Sequence, residues 1–297
     1  MLRGLGIAAL VSLLVAPAWA QGSAQTLLVW ESAIYGLEEL SLRWPVALAM
    51  RSEDEIVVVD AYDDKLVVFT NDTGGWIGRR KVALPASPAS AAYAGGRYFV
   101  SLRGERHGEL ISFDPDRWAQ RPVPLPRGVV AGALAGGKDG TLAVHDQAGS
   151  EVLILDAKGS VRAKIPLAGP VHALTVAPGG ALYAASPQLA RVVRVGEDGA
   201  IEQEFDVPGM SPERAWPVSV AVDTGGELYV VDRHAGRVVV LDAAGALSGF
   251  GSREGWDEGL LRHPAALALT PGGRVVIADQ GNGRVQVFLR ARKDSSS

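Results

Sequence analysis

The 297-residue chain contains no cysteine, which excludes disulfide bonds, a cysteine nucleophile and a thiol for lipid attachment. Asparagine is nearly absent as well, since only Asn71 and Asn282 occur, both in predicted turns where asparagine suits the backbone geometry. No Gly-x-Ser-x-Gly sequence is present, so the nucleophile elbow of many serine hydrolases is missing. These absences remove two common forms of covalent catalysis from consideration.

The chain also has little excess charge of either sign, with a formal net charge of -4 at pH 7. A slightly acidic surface has no overall attraction for polyanions. The basic clusters at residues 79–81 and 290–293 are short, and can be interpreted as solvated charge or as a docking patch. We therefore expect no nucleic acid partner.

Long hydrophobic runs are confined to the N-terminus. Residues 1–20 combine Arg3, an apolar stretch over residues 7–15 and small residues at 18 and 20. This pattern predicts a cleavable signal peptide and hence a periplasmic or secreted protein. The apolar stretch is shorter than the roughly 20 residues that span a bilayer, and no other stretch approaches that length, so we expect no membrane span.

What the chain has in abundance is short β-branched runs separated by Gly-rich turns. The copy at residues 217–241 contains three such runs, and the copy at 264–288 repeats the same order of runs and turns. Each run has the length and composition of a β-strand. Four further copies begin near residues 45, 88, 129 and 170. The copies lie about 40 to 47 residues apart, which is the period of four-stranded propeller blades.

The segment Asp279–Phe288, with Phe250-Gly251 and Leu260–Pro264 before it, resembles the NHL repeat. The resemblance is strong in the last two copies, good in the first and looser in the others, and covers residues 26–292. It implies an all-β fold, a six-bladed β-propeller of four-stranded antiparallel blades.

The sixth copy lacks a fourth strand. We expect the apolar run Thr26–Trp30 to pair with the last blade, which would close the ring and hide a sheet edge. The prediction is therefore one domain over residues 21–292, monomeric by itself, with a disordered tail at 293–297.

The resemblance also implies where a site would lie. In such propellers the first strand of each blade lines the channel, and the loops before it and after the second strand share one face. Trp44, Trp216 and His263 precede first strands, and Tyr62 and Arg233 follow second strands, in the neighbouring blades one, five and six. Because such side chains anchor many interfaces, we predict that they form a contact set. The alternative for the tryptophans is packing on the prolines that follow them.

Aspartates end the second strands of the same three blades, as Asp60, Asp232 and Asp279. The resemblance implies that each one accepts hydrogen bonds from loop backbone amides near the start of the next blade, because a buried carboxylate must be satisfied. Binding of a ligand is the alternative role.

Blade two departs from this pattern with a longer loop over residues 101–108 and no aspartate. The loop places Arg103, Glu105, Arg106 and His107 on the predicted face. A lengthened loop on one face of a repeat array often serves recognition, although a polar hairpin extension is the simpler interpretation. We include Arg103 and His107 in the predicted binding face.

The five histidines bear on an enzymatic alternative. Some secreted propellers similar to this one are amidating lyases with a metal held by channel histidines, and catalytic zinc needs about three protein ligands. His145 takes a position held by valine in blades one and five, so we expect it to point into blade packing. His172 aligns with Ser219 and Ala266 on the inner strand, which makes it the one candidate for a metal ligand in the channel.

A propeller of the calcium-dependent lactonase type would hold its cation with glutamate and asparagine ligands. Calcium takes six to eight oxygen ligands, which disfavours this class in a chain with two asparagines. We predict no catalytic residue and no cofactor. The expected function is non-enzymatic, with the propeller displaying a loop face to an exported protein or an envelope complex subunit. The alternative is a metal-dependent enzyme, resembling an amidating lyase or a lactonase, that acts on a small molecule in the channel.

Overall fold

The computed structural model describes residues 26–103, 108–137, 139–167, 169–210 and 213–291. The predicted signal peptide, the predicted tail at 293–297 and the site candidate His107, with its neighbours Glu105 and Arg106, lie outside the described residues. Within these ranges, no helix combines the length and apolar character needed to cross a membrane.

Within the described residues, β-strands form six four-stranded antiparallel sheets, each of which is one blade. Blade one contains β2 (Pro45–Ser52), β3 (Glu55–Asp60), β4 (Lys65–Asp72) and β5 (Gly75–Ala83), and blade two contains β6 (Ser87–Ala94), β7 (Arg97–Arg103), β8 (Glu109–Phe113) and β9 (Gln120–Pro122). Blade three contains β10 (Ala131–Gly136), β11 (Leu142–Asp146), β12 (Glu151–Leu155) and β13 (Val161–Pro166), and blade four contains β14 (Ala173–Val176), β15 (Leu182–Ser186), β16 (Arg191–Val195) and β17 (Ile201–Asp206). Blade five contains β18 (Pro217–Val222), β19 (Leu228–Asp232), β20 (Arg237–Leu241) and β21 (Leu247–Gly251). Blade six contains β22 (Ala266–Leu269), β23 (Val275–Asp279), β24 (Arg284–Arg290) and, as its outer strand, β1 (Leu28–Ile34).

The first strand closes the ring. β1 pairs antiparallel with β24, from Leu28 opposite Arg290 to Ile34 opposite Val285. Blade six therefore combines both ends of the propeller, and the edge of β24 is covered. The predicted all-β six-bladed fold and its closure by the N-terminal strand are confirmed. Two short 3-10 helices, Glu38–Leu40 and Gln280–Asn282, lie in loops.

The hydrophobic core lies between the blades. In the described residues it consists of six clusters, one for each pair of neighbouring blades. Successive residues of a second strand pack against the blades on opposite sides. In blade five, Val230 packs toward blade four and Val231 packs toward blade six. A strand covered on both sides needs apolar residues at every position, which explains the continuous β-branched runs.

The inner strands surround a central channel with a volume of about 1050 Å³. Small side chains keep it open, because alanine dominates its wall. The alanines of the inner strands that line it are Ala47, Ala49, Ala89, Ala91, Ala92, Ala131, Ala133, Ala135, Ala173, Ala221, Ala266 and Ala268. Alanine side chains therefore share the channel wall with the free backbone edges of the inner strands, and charged side chains lie toward the ends of the channel.

Candidate functional site

Exposed large hydrophobic side chains divide into two groups. Six lie in strands: Val29, Trp30, Ile77, Val161, Ile201 and Leu289. The other seven of the described chain lie in loops: Tyr35, Leu37, Trp44, Tyr62, Leu189, Met210 and Trp256. Each of these loops either precedes an inner strand or follows a second strand. In an antiparallel blade both positions are at the same end, so all seven share one face of the ring, which we call the loop face.

Buried aspartates fix the loops of this face. Asp60 Oδ2 accepts hydrogen bonds from the backbone N–H groups of Arg43 (2.7 Å) and Trp44 (2.9 Å), and Asp60 Oδ1 accepts from the N–H of Tyr62 (2.9 Å). In blade five Asp232 Oδ1 accepts from the N–H of Trp216 (3.0 Å). The structural role implied by the sequence is therefore present. The amides of Arg43, Trp44 and Trp216 precede the first strand of the same blade rather than the next blade, because the end of a second strand lies directly beside the start of its own inner strand.

Asp279 has the most polar contacts of these aspartates. Its Oδ1 accepts from the N–H of Arg262 (2.6 Å). Its Oδ2 accepts from Asn282 Nδ2, Arg284 Nε and Gln286 Nε2, each at 2.8 Å. Ionic and neutral donors together satisfy a carboxylate that has no solvent exposure. This network holds the long loop over residues 252–265, which carries the exposed Trp256 under the guanidinium of Arg262.

The predicted aromatic contacts have different surroundings. Trp44 and Tyr62 are 45% and 62% exposed, and Arg43 lies over the Tyr62 ring at 4.9 Å. Trp216 is half-buried and stacks on His234, with ring centroids 5.0 Å apart. Trp44 is thus the freer of the two tryptophans, and one face of Trp216 is already covered.

Five polar side chains converge where the channel opens onto the loop face: Arg103, Gln147, His172, Arg233 and Gln280. We call this group the channel mouth. Four of them follow or end a second strand, in blades two, three, five and six, while His172 precedes the inner strand of blade four. Trp44 and Trp216 also line the channel. The exposed His263 and Tyr62 lie on the loop face outside the channel lining.

Arg233 is held in place by neutral acceptors. Its Nη1 donates to the carbonyl of His263 (3.1 Å), and its Nη2 donates to Gln280 Oε1 (2.6 Å). The left-handed backbone of His263, with φ of 44°, lies at the turn that presents this carbonyl. Thus His263 contributes its backbone to the site, whereas its side chain is exposed.

His172 lies at the mouth, but one position away from the predicted alignment. Ala173 occupies the equivalent position in blade four. It pairs with Ala185 of the second strand, as Ser219 and Ala266 pair with the second strands of their own blades. His172 instead donates its backbone N–H to the carbonyl of Ala185, as Ala265 does to Ala278. The alignment of His172 with Ser219 and Ala266 was therefore wrong, because Ala173 stands three residues after the proline of its blade, whereas Ser219 and Ala266 each stand two residues after theirs.

The environment of His172 is positively charged. Its ring keeps access to solvent through the channel, although protein atoms surround much of it. Loss of hydration lowers the pKa of His172, and the charges of Arg233 and Arg103 lower it further. The imidazole is therefore expected to be neutral at pH 7.

The other described histidines do not join His172. His145 is buried in β11 opposite Val152, within the packing between blades three and four, as its position predicts. His234 stacks on Trp216 outside the channel. Among the described residues no group of three histidine, aspartate or glutamate side chains could hold a metal ion. The described residues thus do not provide the three-ligand zinc site of the enzymatic alternative.

Gln147 and Gln280 are not among the site residues predicted from the sequence. The available signal is positional, since each follows the aspartate that ends a second strand, as Arg233 does. Gln147 occupies the space that a side chain at position 132 would need, because a Cβ on Gly132 would lie 2.7 Å from Gln147 Cγ. Residues Tyr35, Leu37, Leu189, Met210 and Trp256 of the loop face were also missed.

The NHL repeat family matches residues 215–241 and 261–288, which form most of blade five and most of blade six. The same strand order recurs in the other blades around the closed ring. The chain is a six-bladed β-propeller that carries NHL repeats in blades five and six. The resemblance noted in the sequence is confirmed. Among curated proteins, no sequence matches that of this NHL-repeat propeller.

Solved structures similar to this propeller include lyases and a WD40 domain. A streptogramin B lyase has a TM-score of 0.61 at 14% identity, with 89% of this chain and 98% of that chain covered. Virginiamycin B lyase from Staphylococcus aureus has a TM-score of 0.60 at 13% identity, with 90% of each chain covered. The WD40 β-propeller domain of Doa1 has a TM-score of 0.61 at 9% identity, covering 90% of this chain and 98% of that chain. At these identities the likeness concerns the fold alone.

Proposed function

We propose that this NHL-repeat propeller is a binding module that displays its loop face to a partner protein. The observation that carries the proposal is the placement of all seven loop-borne exposed hydrophobic side chains of the described chain on one face. Scattered apolar residues need no explanation, but a concentration on one face is typical of an interaction surface. The signal peptide predicted from the sequence supports an exported partner, in the periplasm or outside the cell.

The mechanism of this function is rigid display. The buried aspartates bind the loop backbones, so Trp44, Tyr62 and Trp216 are held by blades that are packed on both sides. A preformed surface loses less conformational entropy on binding than a mobile one. Tyrosine, tryptophan and arginine also dominate the energetics of many interfaces. The proposed contacts are Trp44, Tyr62, Arg103, Trp216, Arg233 and His263, with His107 retained from the sequence.

Affinity capture with matched variants tests this function. The mature chain would be immobilised and exposed to envelope extract, in parallel with the double variant Trp44→Ala/Tyr62→Ala and the control Ile77→Ala/Ile201→Ala. The control removes similarly exposed hydrophobic side chains from the outer strands β5 and β17. We expect one partner to be captured by the parent and the control and lost with the face variant. Equal capture by all three would contradict the proposal.

A second candidate is a metal-dependent enzyme that acts on a small molecule in the channel. His172 in a channel of about 1050 Å³ favours it, and the two lyases of similar fold provide an analogy. Elemental analysis of the untagged mature protein, and of a His172→Ala variant, tests it. Near-stoichiometric metal that depends on His172 would support the enzyme. Metal that does not depend on His172 would remove the channel histidine from the hypothesis.

A further inference from the structure

The channel mouth holds a cation, Arg233, that no carboxylate of the described residues neutralises. Arg233 is half-buried, and the partners of its guanidinium are the carbonyl oxygens of His263 and Pro264 and the amide oxygen of Gln280. No described carboxylate forms a salt bridge with it. A buried cation is costly without a counter-charge, so this arrangement favours an anion from outside the chain.

The neighbouring carboxylates are engaged elsewhere. Asp232, next to Arg233 in the sequence, pairs with Arg237 at 3.2 Å, and Asp279, next to Gln280, pairs with Arg284 at 2.8 Å. Among the described residues that line the channel, Asp223 is the one carboxylate. It follows the far end of β18, so it lies at the opposite end of the channel from Arg233.

Further nitrogen donors face the same space from other blades. Arg103 ends β7 of blade two, lines the channel and makes no salt bridge with any described residue. Arg103 and Arg233 both line the channel with His172, and the charge of each one lowers the pKa of the His172 imidazole. The side-chain amide of Gln147 lines the mouth from blade three. An anion at this point could therefore meet charged and neutral donors from several directions.

The channel wall below the mouth indicates the chemical character of the remaining part of the ligand. Alanine side chains of several inner strands contribute to this wall and offer apolar contacts, beside the backbone groups at the free edges of those strands. The channel volume of about 1050 Å³ is ample for a small molecule. We infer that the channel mouth binds the carboxylate of a small organic acid, with Arg233 as the main ionic contact and the apolar part of the acid against the alanine wall.

Calorimetric titration of the mature full chain tests this inference. The probes are hexanoate, acetate, 1-hexanol and inorganic phosphate at constant ionic strength and pH 7. We expect saturable binding of hexanoate with a Kd at or below about 1 mM. Acetate should bind more weakly because it lacks the apolar body, and hexanol more weakly because it lacks the charge. No saturable hexanoate binding, or equal binding of hexanol, would overturn the inference. Preferential binding of phosphate over hexanoate would overturn the inference that the bound anion is the carboxylate of an organic acid.

Variants identify the site of binding. Arg233→Gln and Arg103→Gln should each weaken hexanoate binding, by about tenfold or more for Arg233. Arg121→Gln is the matched control, since it removes the same charge from the outer strand β9, where Arg121 is exposed and has no described salt bridge. If Arg233→Gln alters folding, as a thermal melt would show, the exposed Arg103 provides the decisive variant. Equal affinities in parent, Arg103→Gln and control would overturn the assignment.

The anion site shares Arg103 and Arg233 with the proposed contact set, but its test does not require the partner protein. Hexanoate binding is measured without any partner, and the Trp44→Ala/Tyr62→Ala variant keeps Arg103, Arg233 and His172. A negative titration would therefore leave the loop-face proposal intact, and a negative capture would leave the channel site intact.

Discussion

Arg233 Nη2 lies 2.6 Å from Gln280 Oε1, which joins blades five and six across the channel mouth. Both residues directly follow an aspartate at the end of a second strand. Because every blade has the same strand order, this position recurs around the ring at the same level. The residues at this position therefore determine the chemistry of the channel mouth, and Gln280 fixes the orientation of the Arg233 guanidinium.

The amide of Gln280 should matter both for stability and for anion binding. Gln280→Ala removes the acceptor of a half-buried guanidinium, which we expect to lower the free energy of unfolding by about 1–3 kcal/mol. It should also weaken hexanoate binding several-fold, because the guanidinium is no longer fixed. Urea titration and calorimetry measure the two effects. Gln203→Ala is the control, since Gln203 also bonds to a neighbouring blade, at Ala243, but from an outer strand. Equal changes in both variants would contradict the role of Gln280.

The blade architecture could be predicted from the sequence because of repetition. Second strands are packed on both sides, so they require apolar residues at successive positions, as in Ile56–Val59 and Leu228–Val231. Ring closure was predictable for a similar reason. The last copy is one strand short, and an apolar segment before Trp30 has no other blade to join.

The channel mouth could be predicted only in part, because its members belong to different repeats. Arg103 and Arg233 were found through their loops, but nothing local marks Gln147 or Gln280 as their neighbours. His172 is shifted by one residue because blade four has an extra residue between Pro170 and the start of β14, and a pattern of apolar residues does not record such an insertion. Spatial convergence is a property of the closed ring, and strand register is fixed by backbone pairing, so neither can be read from the apolar pattern of a single repeat.

Asp279 should contribute more stability than any aspartate without an arginine partner. Asp279→Asn keeps the shape but leaves the buried Arg284 without its counter-charge, so we expect a loss of about 3–5 kcal/mol. Asp146→Asn is the matched control, because Asp146 is also buried but its described bonds are from the backbone N–H groups of Val130 and Ala148. An asparagine oxygen can still accept those bonds, so the control should lose about 1 kcal/mol. Similar losses in urea titrations of both variants would show that the ion pair contributes little.

Closure of the ring can be tested within one strand. Leu28 of β1 is 4% exposed and packs in the cluster between blades five and six, whereas Val29 beside it is 53% exposed. We expect Leu28→Ala to lower the free energy of unfolding by about 2–5 kcal/mol. Val29→Ala should change it by no more than about 0.5 kcal/mol. If Leu28→Ala behaved like Val29→Ala in urea titrations, β1 would not contribute to the stability of the closed ring.

His145 should make the propeller less stable as the pH falls below 7. Its side chain is buried and its Nδ1 has no hydrogen-bond partner among the described residues. Loss of hydration lowers the pKa of His145 below its usual value of 6.5, although the charge of Asp146 opposes this shift. In the unfolded chain the imidazole takes up a proton at about pH 6.5. Below that pH the unfolded state therefore binds more protons than the folded state, until the lowered pKa is reached.

This linkage predicts that stability is fully present above pH 6.5 and decreases toward pH 5.5, with a slope of at most about 1.4 kcal/mol per pH unit for one histidine. His145→Val should reduce the slope, because valine occupies the equivalent position at Val59 and Val231 and does not titrate. A residual slope is expected, since the pKa of His172 is lowered too. Urea titrations at pH 7.5 and 5.5 measure the difference, with the exposed His234→Gln as control. An unchanged slope in His145→Val would contradict this prediction. It would mean that protonation of His145 does not destabilise the folded state, which requires a hydrogen-bond partner for Nδ1 such as a buried water molecule.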